Sequence, residues 1–186
     1  MLLILCCAGL GVLLYVGYQS LKMETDPAAV AQTAKELTDI AIPADLKPKT
    51  SVRVVLPFAN KPAMNFAVYE DQDSHLILAG LGNLFAGLNQ QQVSDALDQS
   101  LRQAGAHEGK PDQQLVDINV THKKLTIRNQ PADFTIQRGK DSATKKDRVH
   151  VTGMFQGKSG QVMLIFSGSG EKWPEQQVNA LLESIR

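Results

Sequence analysis

A succession of short apolar segments separated by polar turns is the sequence feature that most constrains the fold. Within these segments apolar and polar residues alternate, or β-branched and aromatic residues cluster, which is typical of strands. Because most of the turns are too short for a crossover helix, consecutive strands are expected to run antiparallel. The predicted strands are Ser51–Phe58, Ala63–Glu70, His75–Ala79, Leu115–Thr121, Lys124–Asn129, Ala132–Arg138, Arg148–Gln156 and Gln161–Ser167.

Three helices are predicted beside these strands. Asp26-Pro27 is typical of a helix start and predicts a helix that ends near Ile40, before a proline-containing linker over Ile42–Thr50. A second helix is predicted over Gln90–Ala104, and a third opens at Trp173-Pro174. The third helix carries an apolar stripe at helical spacing: Val178, Leu181, Leu182 and Ile185. We therefore expect an α+β fold, a mostly antiparallel sheet flanked by helices.

The first twenty-one residues are mostly apolar and carry no Asp, Glu, Lys, Arg or His, the first Lys being Lys22. About twenty such residues in a helix can cross a ~30 Å hydrocarbon core. This predicts a transmembrane anchor over 1–21, a juxtamembrane helix and linker over 22–50, and a globular domain over 51–186. A cleaved signal, which would want a preceding basic residue, and an acylated Cys6 or Cys7 remain alternatives.

Composition limits the chemistry of the domain. Lys and Arg total 19 and Asp and Glu total 19, so no nucleic-acid partner is expected. Both cysteines, Cys6 and Cys7, lie in the predicted anchor, which excludes thiol chemistry from the domain. The histidines lack metal-ligand spacing and no hydrolase motif occurs. We expect no cofactor, no metal and no catalytic residue.

Two kinds of contact surface remain as candidates. Solvated hairpin tips are the default interpretation of the basic residues Lys123, Lys124, Arg138, Lys140, Lys145, Lys146 and Arg148, and the alternative is contact with an anionic surface or partner. Between a strand and a helix, Gly80-Leu81-Gly82 fails the dinucleotide fingerprint because Phe85 stands where the third glycine belongs. The large apolar residues of this loop either pack in the core or contact a partner or ligand: Leu81, Leu84, Phe85 and Leu88.

Short motifs resemble those of known proteins. Trp173-Pro174 followed by Leu181–Arg186 resembles the ending of membrane-tethered proteins with a Mog1/PsbP-like α/β/α sandwich. Asp26–Val30, Ile42–Ala44 and Val68–Asp71 are similar to segments of uncharacterised bacterial proteins with one N-terminal membrane helix. The resemblance implies a PsbP-like domain at the bacterial inner membrane. It favours the extracytoplasmic side, whereas Lys22 and Lys35 favour the cytoplasmic side under the positive-inside rule.

These observations together predict a membrane-anchored, non-catalytic binding or assembly module with a protein partner. The alternatives are a membrane-tethered hydrolase, whose active-site residues would converge from distant positions, and a carrier of a small apolar ligand that uses the loop after Leu76.

Overall fold

The computed structural model describes residues 21–55, 64–82 and 115–186, together with the isolated residue 92. These residues form an antiparallel sheet of eight strands in the order β1-β2-β3-β4-β8-β7-β6-β5. The strands are β1 (Leu21–Glu24), β2 (Lys47–Val54), β3 (Met64–Glu70), β4 (His75–Leu81), β5 (Leu115–Ile127), β6 (Gln130–Asp141), β7 (Asp147–Gln156) and β8 (Gln161–Ser169). Two helices, α1 (Pro27–Leu37) and α2 (Glu175–Glu183), accompany the sheet in the described ranges.

The predicted fold class is wrong. In the part of the chain that the structure describes, eight strands stand against two short helices of 11 and 9 residues, so the fold is mainly β and not α+β. The helix predicted over Gln90–Ala104 lies outside the described residues, apart from position 92.

The predicted transmembrane helix is also corrected. Across 21–55, 64–82 and 115–186, no helix has the length and apolar character needed to cross a membrane. Leu21, the last residue of the predicted anchor, begins strand β1, and residues 1–20 lie outside the described residues. The predicted membrane partner and inner-membrane location are not retained.

Strand β5 differs from its prediction in a way that matters for the site. The sequence predicts two strands, Leu115–Thr121 and Lys124–Asn129, separated by the polar pair His122-Lys123. The structure shows one strand of 13 residues, Leu115–Ile127. The positions of β3, β4, β6, β7 and β8 agree with the predicted strands to within a few residues at each end.

Helix α1 begins as predicted. The Asp26 side chain accepts a hydrogen bond from the Ala29 amide at 3.2 Å, which caps the helix, and Pro27 occupies the first turn. The helix ends at Leu37, earlier than the predicted Ile40. The buried residues Val30, Ala34 and Leu37 place one side of α1 on the sheet.

Helix α2 follows Pro174 and buries the apolar stripe that the sequence predicts: Val178, Leu181, Leu182 and, just after the helix, Ile185. Backbone hydrogen bonds connect the ends of the two helical segments. The Arg186 amide donates to the Asp39 carbonyl at 2.8 Å, and the Asp39 amide donates to the Arg186 carbonyl at 3.3 Å. The segment after α1 is thus held to the segment after α2.

Buried apolar residues occur on both faces of the sheet. The larger cluster joins α1 and α2 to strand residues such as Leu78, Phe134 and Phe166. The smaller cluster occupies the opposite face and is centred on Phe66, Ile77 and Met163. Successive residues of a strand point to opposite faces, so strands β3, β4 and β8 contribute to both clusters and form the centre of the fold.

The sheet consists of two runs of sequential antiparallel strands, β1 to β4 and β5 to β8. Strands β4 and β8 join the two runs, with His75 opposite Ser167 at one end of the pair and Leu81 opposite Gln161 at the other. This order places β5 at one edge of the described sheet and the short strand β1 at the other edge.

Candidate functional site

The edge strand β5 carries most of the exposed large apolar residues of the described chain. Val116, Ile118 and Val120 are 37%, 50% and 47% exposed. Within the described sheet β5 pairs with β6 and with no second strand. The outer side of β5 therefore combines backbone groups that lack a described strand partner with apolar side chains in contact with solvent.

A β-bulge interrupts the first part of β5. Val116 lies opposite Lys140 and Asn119 lies opposite Arg138, so β5 has one residue more than β6 in this interval. Asp117 takes up the extra length with a φ of 54°. A Cβ on Gly139 would lie 2.7 Å from the Val116 carbonyl oxygen, so the close approach at the bulge requires glycine in the neighbouring strand.

After the bulge, β5 pairs regularly with β6 from Asn119 to its end. Ile118 and Val120 are two residues apart and share a face of the sheet, the face of the smaller apolar cluster. The opposite face of β5 carries Asn119, Thr121 and Lys123, which lie opposite Arg138, Ile136 and Phe134.

The two predicted basic residues of β5 lie on opposite faces. The Lys123 ammonium is 2.8 Å from Asn179 Oδ1 and 2.7 Å from Glu183 Oε1, both on α2. Lys124 lies directly opposite Asp133 on the other face. The sheet thus separates these two predicted basic residues, and each lysine has a carboxylate nearby.

Three of the other predicted basic residues, Arg138, Lys140 and Arg148, line a cleft of about 420 Å³ beside the bulge. Arg138 donates to the Trp173 carbonyl at 3.1 Å, and Arg148 donates to the Asp73 carbonyl at 2.8 Å. Arg148 is only 9% exposed, and its Nε has no hydrogen-bond partner among the described residues. The other lining residues are Asp117, Asn119, Gly139, Asp147, Gly170 and Glu171.

The cleft lining contains as many acidic residues as basic ones, so the charges oppose one another. Both of its arginines already donate to backbone carbonyls within the chain. The cleft does not form a concentrated positive surface.

The remaining two basic residues, Lys145 and Lys146, belong to the turn between β6 and β7. The Asp141 carboxylate organises this turn by accepting hydrogen bonds from the Thr144 amide at 2.6 Å, the Thr144 hydroxyl at 2.9 Å and the Ala143 amide at 3.0 Å. These bonds, with the Thr144 amide contributing most and the charge of Arg148 adding to them, hold the pKa of Asp141 below its ordinary value. Both lysines are exposed at the tip of the hairpin.

The predicted apolar contact loop is only partly described. Leu81 is 7% exposed, ends strand β4 and belongs to the smaller apolar cluster, which favours its core interpretation. Leu84, Phe85 and Leu88 lie outside the described residues. Among the positions that are described, no group of three or more His, Cys, Asp or Glu side chains could hold a metal ion.

Sequence reasoning missed the edge of β5 as a candidate site. The signal was present, because Val116, Ile118 and Val120 recur at a spacing of two. The same spacing also fits a half-buried strand, and only the strand order shows that these residues lie at an edge. The bulge could not be predicted from the sequence. Its residue with a left-handed backbone conformation is Asp117, whereas a glycine at that position would have indicated a bulge.

Comparison with known proteins identifies no family for this chain. No protein-family model matches it, and no curated protein matches it. Among solved structures, it is similar to LpqN, which is involved in cell envelope biogenesis of Mycobacterium tuberculosis. The identity is 9%, the TM-score is 0.30, and the match covers 91% of this chain and 88% of that chain. A TM-score this low does not establish a common fold.

Proposed function

We propose that the protein is a non-catalytic binding or assembly module whose contact surface is the outer edge of β5. The observation that carries the proposal is the exposure of Val116, Ile118 and Val120 on a strand at the edge of the sheet. The resemblance to Mog1/PsbP-like domains is carried only by the short motifs quoted above, and the proposed binding role does not depend on it.

An edge strand offers a specific mode of binding. Its outward N–H and C=O groups pair with an extended segment of a partner, which adds one strand to the sheet. Proteins commonly protect such edges with short strands, prolines or charges. β5 is the longest described strand at 13 residues, it contains no proline, and its exposed apolar residues occupy its first half.

The energetic gain from strand addition can be estimated from exposure. Full burial of an isoleucine or valine side chain contributes about 1.5–3 kcal/mol. Because Ile118 and Val120 are already about half buried, each would add roughly 1 kcal/mol when a partner covers it. Each new backbone hydrogen bond adds about 0.5–1.5 kcal/mol. A partner segment of a few residues therefore suffices for measurable binding.

The test is site-specific photocrosslinking in cells. A p-benzoylphenylalanine at position 118 is compared with the same residue at position 176, an exposed site on α2. We expect crosslinked protein from position 118, strongly reduced by Val120→Lys in the same chain because a lysine obstructs strand addition.

Thr126→Lys is the matched control, since Thr126 is exposed on the same strand and the same face but lies beyond the apolar segment. Crosslinking that is equal at both probe positions, or that survives Val120→Lys unchanged, would contradict the proposed role of the edge.

A further inference from the structure

We propose that the strand that adds to β5 is β5 of a second copy of this chain, antiparallel to the first across a twofold axis at Val120. This inference rests on the proposed role of the β5 edge and names its occupant. The two sheets would then form one continuous antiparallel sheet.

The pairing register follows from the geometry of the strand. A twofold axis normal to the sheet keeps each face of one copy continuous with the same face of the other. With the axis at Val120, Val120 of one copy lies opposite Val120 of the other. Ile118 of each copy then lies opposite His122 of the other, and Asn119 lies opposite Thr121. Four of the five positions, from Asn119 to His122, with Ile118 excepted, pair regularly with β6, and Ile118 is the last residue of the bulged interval.

The apolar side chains meet in this register. Val120 of one copy lies directly opposite Val120 of the second copy and diagonal to its Ile118, within reach of a cross-strand contact. Four partly exposed apolar residues, two from each copy, would thus form one patch on the face of the smaller cluster. An unrelated partner strand would need its own apolar residues at the same spacing.

The charges of β5 favour the same register. With the axis at Val120, Lys123 and Lys124 lie beyond the five central positions 118–122, so no lysine faces a lysine. An axis at Lys123 would place like charges opposite each other, which is destabilising. An axis at Asn119 would draw Asp117, with its φ of 54°, into the paired stretch.

The basic residues of β5 do not protect the edge against a second copy. Lys123 is held by Asn179 and Glu183 on α2, and Lys124 lies opposite Asp133. His122 Nδ1 is also 3.7 Å from Asp133 Oδ1. Nearby acidic groups within the same chain thus reduce the repulsion between two β5 strands.

The first test measures the mass of the full chain by sedimentation velocity over a range of concentrations. We expect a concentration-dependent dimer for the natural sequence. Val120→Lys and Val120→Glu are each expected to weaken the dimer at least tenfold, because the axis places like charges opposite each other. An equimolar mixture of the two variants should restore it, and Thr126→Lys should dimerise like the natural sequence.

A second measurement does not depend on charge. In a Cys6→Ser, Cys7→Ser background, Val120→Cys is expected to form an intermolecular disulfide on mild oxidation, because residues directly opposite in an antiparallel pair have Cα atoms about 4.5–5.5 Å apart. Thr126→Cys is expected to remain unlinked.

A chain that stays monomeric at all concentrations and forms no disulfide through Val120→Cys would overturn the second copy as occupant. If crosslinks from position 118 to another protein persist in that case, the edge still binds and only the homodimer is wrong. If the dimer forms but mixing the charged variants does not restore it, the axis does not lie at Val120 and the register is overturned.

Discussion

Replacement of Ser74 by alanine tests how the turn between β3 and β4 is fixed to the core. Ser74 is 3% exposed, and its hydroxyl oxygen accepts a hydrogen bond from Trp173 Nε1 at 3.0 Å. Trp173 is 2% exposed and packs with its ring centre 4.3 Å from that of Phe166. This hydrogen bond therefore links the turn to the segment before α2 in a place that water hardly reaches.

The cost of Ser74→Ala follows from this burial. The substitution leaves the Trp173 N–H buried without an acceptor, and an unsatisfied buried donor costs about 1–3 kcal/mol. The lost oxygen leaves only a small space, so its cavity adds little. We expect the free energy of unfolding to fall by about 2 kcal/mol.

The assay is urea unfolding followed by tryptophan fluorescence and by far-UV circular dichroism. Trp173 is the single tryptophan of the chain, so its emission reports directly on the altered site. Ser159→Ala is the control, because Ser159 is exposed and its loss should change stability by no more than about 0.5 kcal/mol.

A double-mutant cycle with Trp173→Phe isolates the pair. We expect Ser74→Ala to cost less in the Trp173→Phe background, with a coupling of about 0.5–1.5 kcal/mol, followed by circular dichroism alone. Equal costs in the two backgrounds, or a Ser74→Ala variant as stable as the Ser159→Ala control, would refute the assigned role of the hydrogen bond.

Two further predictions concern the core and the charged turns. Gly153→Ala would place a Cβ against the ring of the fully buried Phe134, so we expect the free energy of unfolding in urea to fall by about 1–3 kcal/mol. Adding Phe134→Leu should recover part of this loss. If the losses from the two substitutions are fully additive, the clash is contradicted. Partial burial raises the pKa of Asp71, but the Lys172 ammonium and two backbone amides outweigh it and hold that pKa below its ordinary value of 3.8. The stability that Asp71 contributes is therefore complete above pH ~4 and is lost as the pH falls through its folded pKa. Asp71→Asn should lower the free energy of unfolding at pH 7, and the two chains should become equally stable in acid. A difference in stability that stays constant with pH would contradict this.

The sequence predicts strands β3, β4, β6, β7 and β8 to within a few residues because their signals are local, whereas β1 was not predicted and β2 begins inside the predicted linker. Alternation identifies the strands, and Asp26 with Pro27 identifies the start of α1. The prediction divided β5 into two strands at His122 and Lys123 because two adjacent polar residues are typical of a turn. On an edge strand both faces can carry polar residues, and Lys123 lies against α2 through Asn179 and Glu183.

The candidate site could not be predicted in the same way because exposure depends on strand order. Val120 and Ile136 have similar sequence surroundings, yet Ile136 is 6% exposed and Val120 is 47% exposed. The difference arises because β6 has a neighbour on each side, whereas β5 has one among the described strands. Strand order is set by the pairing of β4 with β8, which no short motif encodes.

The junction between β4 and β8 also has a consequence for how the chain reaches its fold. From β2 to β4 and from β5 to β8, neighbouring strands meet after the closure of short loops. His75 can pair with Ser167 only after the whole chain between them has closed into a loop. Leu78 and Leu164, which face each other across the junction, are fully buried, so the larger core cluster cannot be completed before that closure. Topologies dominated by such non-local pairing fold in milliseconds to seconds. Until the junction closes, β4 and β8 are themselves open apolar edges, and the newly made chain is exposed to association at its centre as well as at β5.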